Sequence, residues 1–282
     1  MKSDESERGG WFSGLHPGDR ETAARAIRDG SAEAPQEWPE LAVESGFVDS
    51  EDEYYSELRE ATMEATRQAV QEREGADDQQ LIHAIRALDD CRRVQNELTE
   101  RVGEWAGSRD REASITVDYM RTLAEREPTD PGEERLVSLA RRIVDLDEER
   151  EALRVFVDQT ATAIAPNLTA LAGAQLTARL VALAGGLEEL AKKPAGTVQL
   201  LGAEDALFAH LRGGAPSPKH GVIYTHEYVR GIHPENRGSA ARALSGKLAI
   251  AARIDHYSGE YRPELEAELE DRIERIRARD TQ

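Results

Sequence analysis

The chain has a single cysteine, Cys91, in 282 residues, so it holds no internal disulfide framework and no multi-thiolate metal site. Aromatic residues make up only 5%, too few for the core of a thick sandwich or barrel, while charged residues reach 32%, the balance of long exposed helices. Nowhere does an apolar run approach the roughly 18 residues of a membrane span. The opening MKSDESERGGWF has no apolar stretch of signal-peptide length. A soluble, cytoplasmic protein is expected. Lysine is scarce too, five against 31 arginines, and with 55 acidic residues the net charge is −19. That composition reads as a surface adapted to concentrated salt, as in a halophile, where hydrated carboxylates hold a protein in solution and their self-repulsion is screened.

Against this acidity, residues 166–256 stand out. They hold ten Lys and Arg against seven Asp and Glu, about +3, which leaves about −22 on the other 191 residues. Five of the seven histidines and four of the five lysines lie there. An anionic partner would meet this part of the chain. A charge of +3 is small for a binder driven by counterion release, so recognition there has to lean on shape, hydrogen bonds and stacking.

Taken in order, the acidic opening should fray, and GGWFSGL could form a short strand. Asp19 suits the N-cap of a helix closed by Gly30, PQEWPELAVESG should end in the same way at Gly46, and Asp49 or Ser50 caps a longer helix. Its face of Tyr54, Leu58, Ala61, Ala65 and Ala69 should rest on Trp11, Phe12, Trp38 and Phe47 as the core of a small α/β or α unit. After the break at GADDQQ comes a helix with Leu81, Ile85, Leu88, Val94, Leu98, Val102 and Trp105 on one face, ended by Gly107 and Ser108. A short helix around Ile115, Met120 and Leu123 follows, then a turn at Pro128, Asp130, Pro131 and Gly132.

The next helix has the clearest period. Leu136, Leu139, Ile143, Leu146, Arg150, Leu153, Val157, Thr160 and Ile164 alternate in steps of three and four, four heptads interrupted at Arg150 and Thr160. With its predecessor it predicts an antiparallel coiled-coil hairpin. Spacing does not decide whether the seam pairs within one chain or with a second copy, and a hairpin that also dimerises through Leu136, Leu139, Ile143, Leu146, Leu153 and Val157 is expected. Pro166 and Asn167 break the heptads and open the basic module. There Gly173, Gly185 and Gly186 imply bends or caps. TVQLLGAEDALFAHLRGG reads as an apolar piece and a helix, residues 215–236 as an ordered loop or short extended segment, and RGSAARALSGKLAIAARIDH as a long basic helix. The tail PELEAELEDRIERIRARDTQ is a charged helix with Leu265, Leu269, Ile273 and Ile276 on one stripe, open to docking on its own chain, docking on a partner, or fraying.

Catalytic motifs fail on inspection. GSAARALSGK is not a phosphate loop, because position 241, where glycine is needed, is alanine and Leu248 replaces the hydroxyl. His220, His226, His233 and Glu227 have spacings that match no compact ligand pair on a helix, and they read as surface or RNA-facing groups, so no metal and no cofactor is expected. No serine sits in a nucleophile elbow, and a non-enzyme is expected. Lys219, Arg237, Arg242, Lys247 and Arg253 are cations separated by small residues that let a phosphate backbone approach, with Tyr224 and His226 as flat stacking surfaces. Arg253 could equally pair with Asp255.

The motifs APNLTALAGAQLTARLVALAGGLEELAKKPAGTVQLLGAE, ALF, PKHGVIY, RG, ARAL and KLAIAARID closely resemble the Nop domain of box C/D ribonucleoprotein core proteins, and LIHAIRALDDC resembles the start of that family's coiled coil. The resemblance covers about Leu81 to Tyr257. It implies a mainly α protein divided into an N-terminal unit over 1–75 that holds the methyltransferase fibrillarin, a coiled-coil dimerisation domain over 76–165, an all-α Nop domain over 166–258 and a charged C-terminal helix or tail over 259–282. It implies a non-catalytic scaffold. The Nop domain would grip kink-turn guide RNA jointly with a small ribosomal-type kink-turn protein, and fibrillarin would methylate ribose 2′-hydroxyls of rRNA or tRNA. The RNA and partner surface it implies falls on Gln199, Gly202, Ala203, Glu204, Lys219, His220, Arg237, Arg242, Lys247 and Arg253. The chain departs from the family pattern at Asp205 and Ser239, where lysine is usual, and in a shortened N-terminal region. A helical protein-interaction adaptor that has lost RNA binding is the alternative these departures suggest.

Overall fold

The structure, a computed structural model, describes residues 10–31, 34 and 36–278, and every regular element among them is helical. Residues 1–9, expected to fray, lie outside that set, as do Pro35 of the second expected helix and the last four residues of the C-terminal one. None of these helices is long and apolar enough to cross a membrane. Contacts divide the chain into two units, Met1–Ala76 and Asp77–Gln282.

In the first unit, local capping sets the helix ends. The Asp19 carboxylate accepts from the Thr22 N–H to start α1 (Arg20–Asp29), and the Gly30 N–H closes it on the Ala26 carbonyl. After α2 (Trp38–Glu44), the Ser50 hydroxyl accepts from the Glu53 N–H to start α3 (Glu51–Gly75), and the Glu53 carboxylate reaches back to the Asp49 N–H at 2.8 Å. The described part of GGWFSGL, residues 10–15, is a turn rather than a strand. Ser13 N–H donates to Gly10 O, and Gly14 takes φ 75°, so the chain doubles back and drives Trp11 and Phe12 onto α3. Phe12 stacks on Phe47 at 5.5 Å, and both pack with Tyr54 in the expected core. Ala61 and Ala65 are buried as the α3 face requires, whereas Ala69 is exposed.

The second unit begins with α4 (Asp77–Gly107), α5 (Val117–Ala124) and α6 (Pro131–Ile164). α4 and α6 run antiparallel. Leu81, Ile85 and Leu88 pack with Val157 and Ala161, while Val102 and Ala106 pack with Leu136, Ala140 and Ile143, under Met120 and Leu123 of α5. Asp130 caps α6 through the Gly132 and Glu133 amides.

The seam differs from the heptads by one position. Leu136, Ile143 and Val157 are buried, but the deep positions that accompany them are Ala140, Asp147 and Ala161, and Leu139, Leu146 and Leu153 are half-buried beside them. At the centre the Asp147 carboxylate accepts from Gln95 Nε2 at 2.9 Å and from Arg121, and it pairs with Arg150, which donates to Gln95 Oε1 at 2.7 Å. A buried carboxylate needs that full set of donors. The set turns Gln95 and Thr99 of α4 inward and leaves Val94 and Leu98 half-buried and Trp105 39% exposed. Leu136, Ile143 and Val157 are thus enclosed within one chain, and a second copy could meet only Leu139, Leu146 and Leu153 of the six expected dimer residues.

Beyond Ala165 come α7 (Pro166–Ala172), α8 (Ala174–Ala184), α9 (Leu187–Lys192), α10 (Ala195–Leu200) and α11 (Glu204–Leu211). Gly185, at φ 93°, ends α8 in the left-handed conformation that lets α9 fold back. The segment 215–236 carries a 3₁₀ turn (Val222–Thr225) and α12 (Glu227–Arg230), followed by α13 (Arg237–Tyr257) and α14 (Glu264–Arg277). Leu168, Leu180, Leu190, Ile223, Leu244 and Leu248 form their core. The stripe of Leu265, Leu269, Ile273 and Ile276 is buried in that same core, so the charged helix docks on its own chain. Ala178 of α8 packs with Leu81 and Val157 while Leu180 faces the bundle, so one helix serves both hairpin and bundle.

Candidate nucleic-acid interface

The turn from α10 into α11 is tied to the segment before the 3₁₀ turn. Gly221 N–H donates to Gln199 O at 2.8 Å, Val222 N–H to Leu201 O at 2.7 Å, and Gln199 Nε2 to Lys219 O at 2.7 Å. Only glycine fits at 221, because a Cβ there would lie 2.0 Å from Leu201 O. Gly202 turns at φ 80°, and its N–H is held by the Glu204 carboxylate at 2.8 Å.

On this base stands a column of flat groups. The His220 ring stacks on Tyr224 with centroids 4.6 Å apart and planes 18° from parallel, and the Arg237 guanidinium lies 5.5 Å from the Tyr224 centroid. Arg237 Nε donates to Ile232 O at 3.2 Å, which fixes the guanidinium at the start of α13. The exposed Lys219 lies beside Gly238, where an added Cβ would be 3.8 Å from its stem. Burial, then the charges of Arg237 and Lys219, holds the His220 imidazole below its usual range. The stack thus sets a ring whose charged form is disfavoured close to two cations.

The ten residues expected at the interface thus divide. Gln199, Gly202, Ala203, Glu204, Lys219, His220 and Arg237 gather at one end, whereas Arg242, Lys247 and Arg253 follow along α13, the last about 24 Å from Arg237 by helical rise. Arg242 is exposed. Lys247 is held in an ion pair with Glu268 of α14. Arg253 donates to the Ala191 and Lys193 carbonyls, both at 3.2 Å, at the end of α9. The Arg253–Asp255 pair does not form. Asp255 is 7% exposed and accepts instead from the Asn167 N–H at 3.0 Å, Asn167 Nδ2 at 2.7 Å and the Leu168 N–H at 2.9 Å, capping α7. Burial pushes its carboxyl up, against those three donors.

His226 meets the Tyr228 ring edge-on at 4.8 Å. Its Nδ1 accepts from the Tyr228 N–H at 3.1 Å to cap α12, and burial lowers its pKa. It is His220 that stacks on Tyr224, a partnership that depends on the fold and not on spacing. Among the described residues no group of three His, Cys, Asp or Glu side chains gathers that could hold a metal. Two cavities adjoin the interface. One of about 480 Å³ includes Ile85, Leu183, Gly202, Gly221 and Tyr224, and one of about 200 Å³ lies between α13 and α14, lined by Arg242 of the first and Arg272 of the second. Arg272 has no sequence signal of its own, since its helix reads as a solvated charged face.

A family model described as "Nop: snoRNA binding domain, fibrillarin" matches residues 76–275. An uncharacterized NOP5 family protein of Methanocaldococcus jannaschii is 34% identical over 271 residues, covering 83% of this chain and 66% of that protein. Nucleolar protein 58 of Scheffersomyces stipitis is 42% identical over 153 residues, 52% of this chain and 30% of the relative. Nucleolar protein 56 of Caenorhabditis elegans is 34% identical over 196 residues, 68% of this chain and 40% of the relative. The chain therefore spans just under two thirds of the first relative and less than half of the others. A chain in the crystal structure of a fibrillarin/Nop5p complex superposes with a TM-score of 0.53 at 26% identity, over 95% of this chain and 98% of that one.

Proposed function

The chain belongs to the Nop family, and on that premise we propose that it is a non-catalytic scaffold of a box C/D ribonucleoprotein acting in the cytoplasm. Residues 166–258 bind kink-turn guide RNA together with a small kink-turn protein. Residues 1–75 hold fibrillarin, residues 76–165 join two copies of the chain, and the assembly positions fibrillarin for 2′-O-methylation of rRNA or tRNA. The observation that carries this reading is the stack of His220, Tyr224 and Arg237 beside Lys219. It presents a flat ring to an unpaired base and two cations to the flanking phosphates, the combination by which single-stranded and looped RNA is recognised. It also suits a chain of low local charge, since stacking survives salt better than counterion release does.

The second reading, a protein-interaction adaptor without RNA, is favoured by two features. The carboxylate of Asp205 stands in the first turn of α11, and Lys247 is neutralised by Glu268. Isolating the protein from its native cells at near-native salt separates the two. Stoichiometric RNA supports the scaffold, and protein partners without RNA support the adaptor.

A further inference from the structure

α14 lies antiparallel along α13, and one side of it, Glu268, Arg272 and Ile276 at one-turn intervals, faces that helix. At the first of these positions the charges match, for Glu268 pairs with Lys247. One turn further on they do not. Arg272 and Arg242 line one cavity of about 200 Å³ together with Ser239, and neither guanidinium has an acidic partner among the described residues. The other two arginines of α14 are engaged, Arg275 Nε with Asp271 O at 3.0 Å and Arg277 over the Tyr228 ring at 5.7 Å.

In a chain with 55 acidic residues, a carboxylate at 272 would have repeated the Lys247–Glu268 arrangement and steadied the helix pair. Two like charges facing one small cavity instead oppose each other until an anion enters. The cavity offers what a phosphate group takes: two planar guanidinium forks, each able to donate two parallel hydrogen bonds, and a hydroxyl donor.

We propose that Arg272 joins Arg242 and Ser239 in a cradle for a phosphodiester of the bound RNA. The cradle rests on the RNA-binding reading above and adds to it a residue from outside the basic segment. Because α14 supplies one of the two guanidiniums, this helix is part of the RNA surface and not only a cover for the core.

The test compares the unsubstituted protein with Arg272→Gln, Arg272→Glu and the control Arg275→Gln, each in complex with the kink-turn protein and titrated with box C/D RNA over a salt series. Both Arg272 variants should lose roughly tenfold in affinity, and the slope of log affinity against log salt should fall by about 1. Arg275→Gln should change neither. Arg272→Glu restores charge complementarity with Arg242, so its thermal midpoint should stay or rise while RNA binding falls, which separates lost binding from lost folding. Inorganic phosphate, compared with chloride at equal ionic strength, should raise the melting temperature of the unsubstituted protein more than that of Arg272→Gln. If the unsubstituted protein binds RNA and the Arg272 variants bind it with the same affinity and slope, the cradle is wrong and the RNA reading stands. If the unsubstituted protein takes up no RNA, the RNA reading falls and the cradle with it.

Discussion

Replacing Asp255 by alanine tests how α13 is fixed to the start of α7, where the bundle leaves the hairpin. Its carboxylate is the acceptor for three donors at the point where α6 gives way to α7: the Asn167 amide, the Asn167 side chain and the Leu168 amide. The two amides belong to the first turn of α7 and have no other acceptor there. Asn167 Nδ2 keeps the Glu260 carbonyl at 2.8 Å, so its loss is partial. A buried donor left without an acceptor costs about 1–3 kcal/mol. Two full orphans and one partial one, in a site that water can partly reach after truncation, give a loss of about 3 kcal/mol. Asn167→Ala removes less, since Asp255 keeps both amides and the two groups abandoned, the Arg262 N–H bonded to Asn167 Oδ1 at 2.7 Å and the Glu260 carbonyl, belong to exposed residues that water can reach. About 1–2 kcal/mol is expected. The residues touch, so the double variant should lose at least about 0.5 kcal/mol less than the sum. Urea unfolding with an unchanged slope, and faster hydrogen exchange of the 167 and 168 amides, are the readouts. A loss below about 1 kcal/mol for Asp255→Ala, or strict additivity, would refute the clasp.

Three further outcomes are expected. Gly221→Ala forces its Cβ onto Leu201 O and should destabilise the interface by about 1–3 kcal/mol in thermal or urea unfolding, with weaker RNA binding; unchanged stability would contradict the close approach. His220 should titrate below 6.5 by NMR, and Arg237→Gln should raise its midpoint. A histidine with a lowered folded pKa adds stability that is complete above the unfolded value and lost as pH falls through the folded one, so acidification should loosen this end of the bundle first. A midpoint that ignores Arg237→Gln would count against the column. Leu139→Asp with Leu153→Asp should give a monomeric mass in light scattering, and an unchanged mass would remove the proposed dimer.

Features set within a few residues were legible in the sequence. Asp19 and Gly30 bracket α1, Ser50 caps α3, and Gly46 and Gly185 end helices, because caps and left-handed turns depend on local chemistry. Features decided by partners were not. The WFSG segment reads as a short strand but is turned back by Gly14 onto α3. The α6 seam accepts steps of three and four starting from Leu136 along either Leu139 or Ala140, and the pairing of Asp147 with Gln95, 52 residues away, selects the second. In the candidate interface, Lys219, His220 and Arg237 are legible only through their motifs. The stacking of His220 on Tyr224 and the shared cavity of Arg242 and Arg272 are hidden, since each joins residues that only the fold brings together.

The most direct test of the central claim is reconstitution of this chain with fibrillarin, the kink-turn protein and a box C/D guide RNA, scoring methyl transfer to the paired target nucleotide. The scaffold account predicts methylation that requires the chain, disappears when it is omitted, and falls with His220→Ala even when fibrillarin remains bound. Methylation of equal rate without the chain, or a complex that assembles with fibrillarin yet takes up no guide RNA, would contradict it.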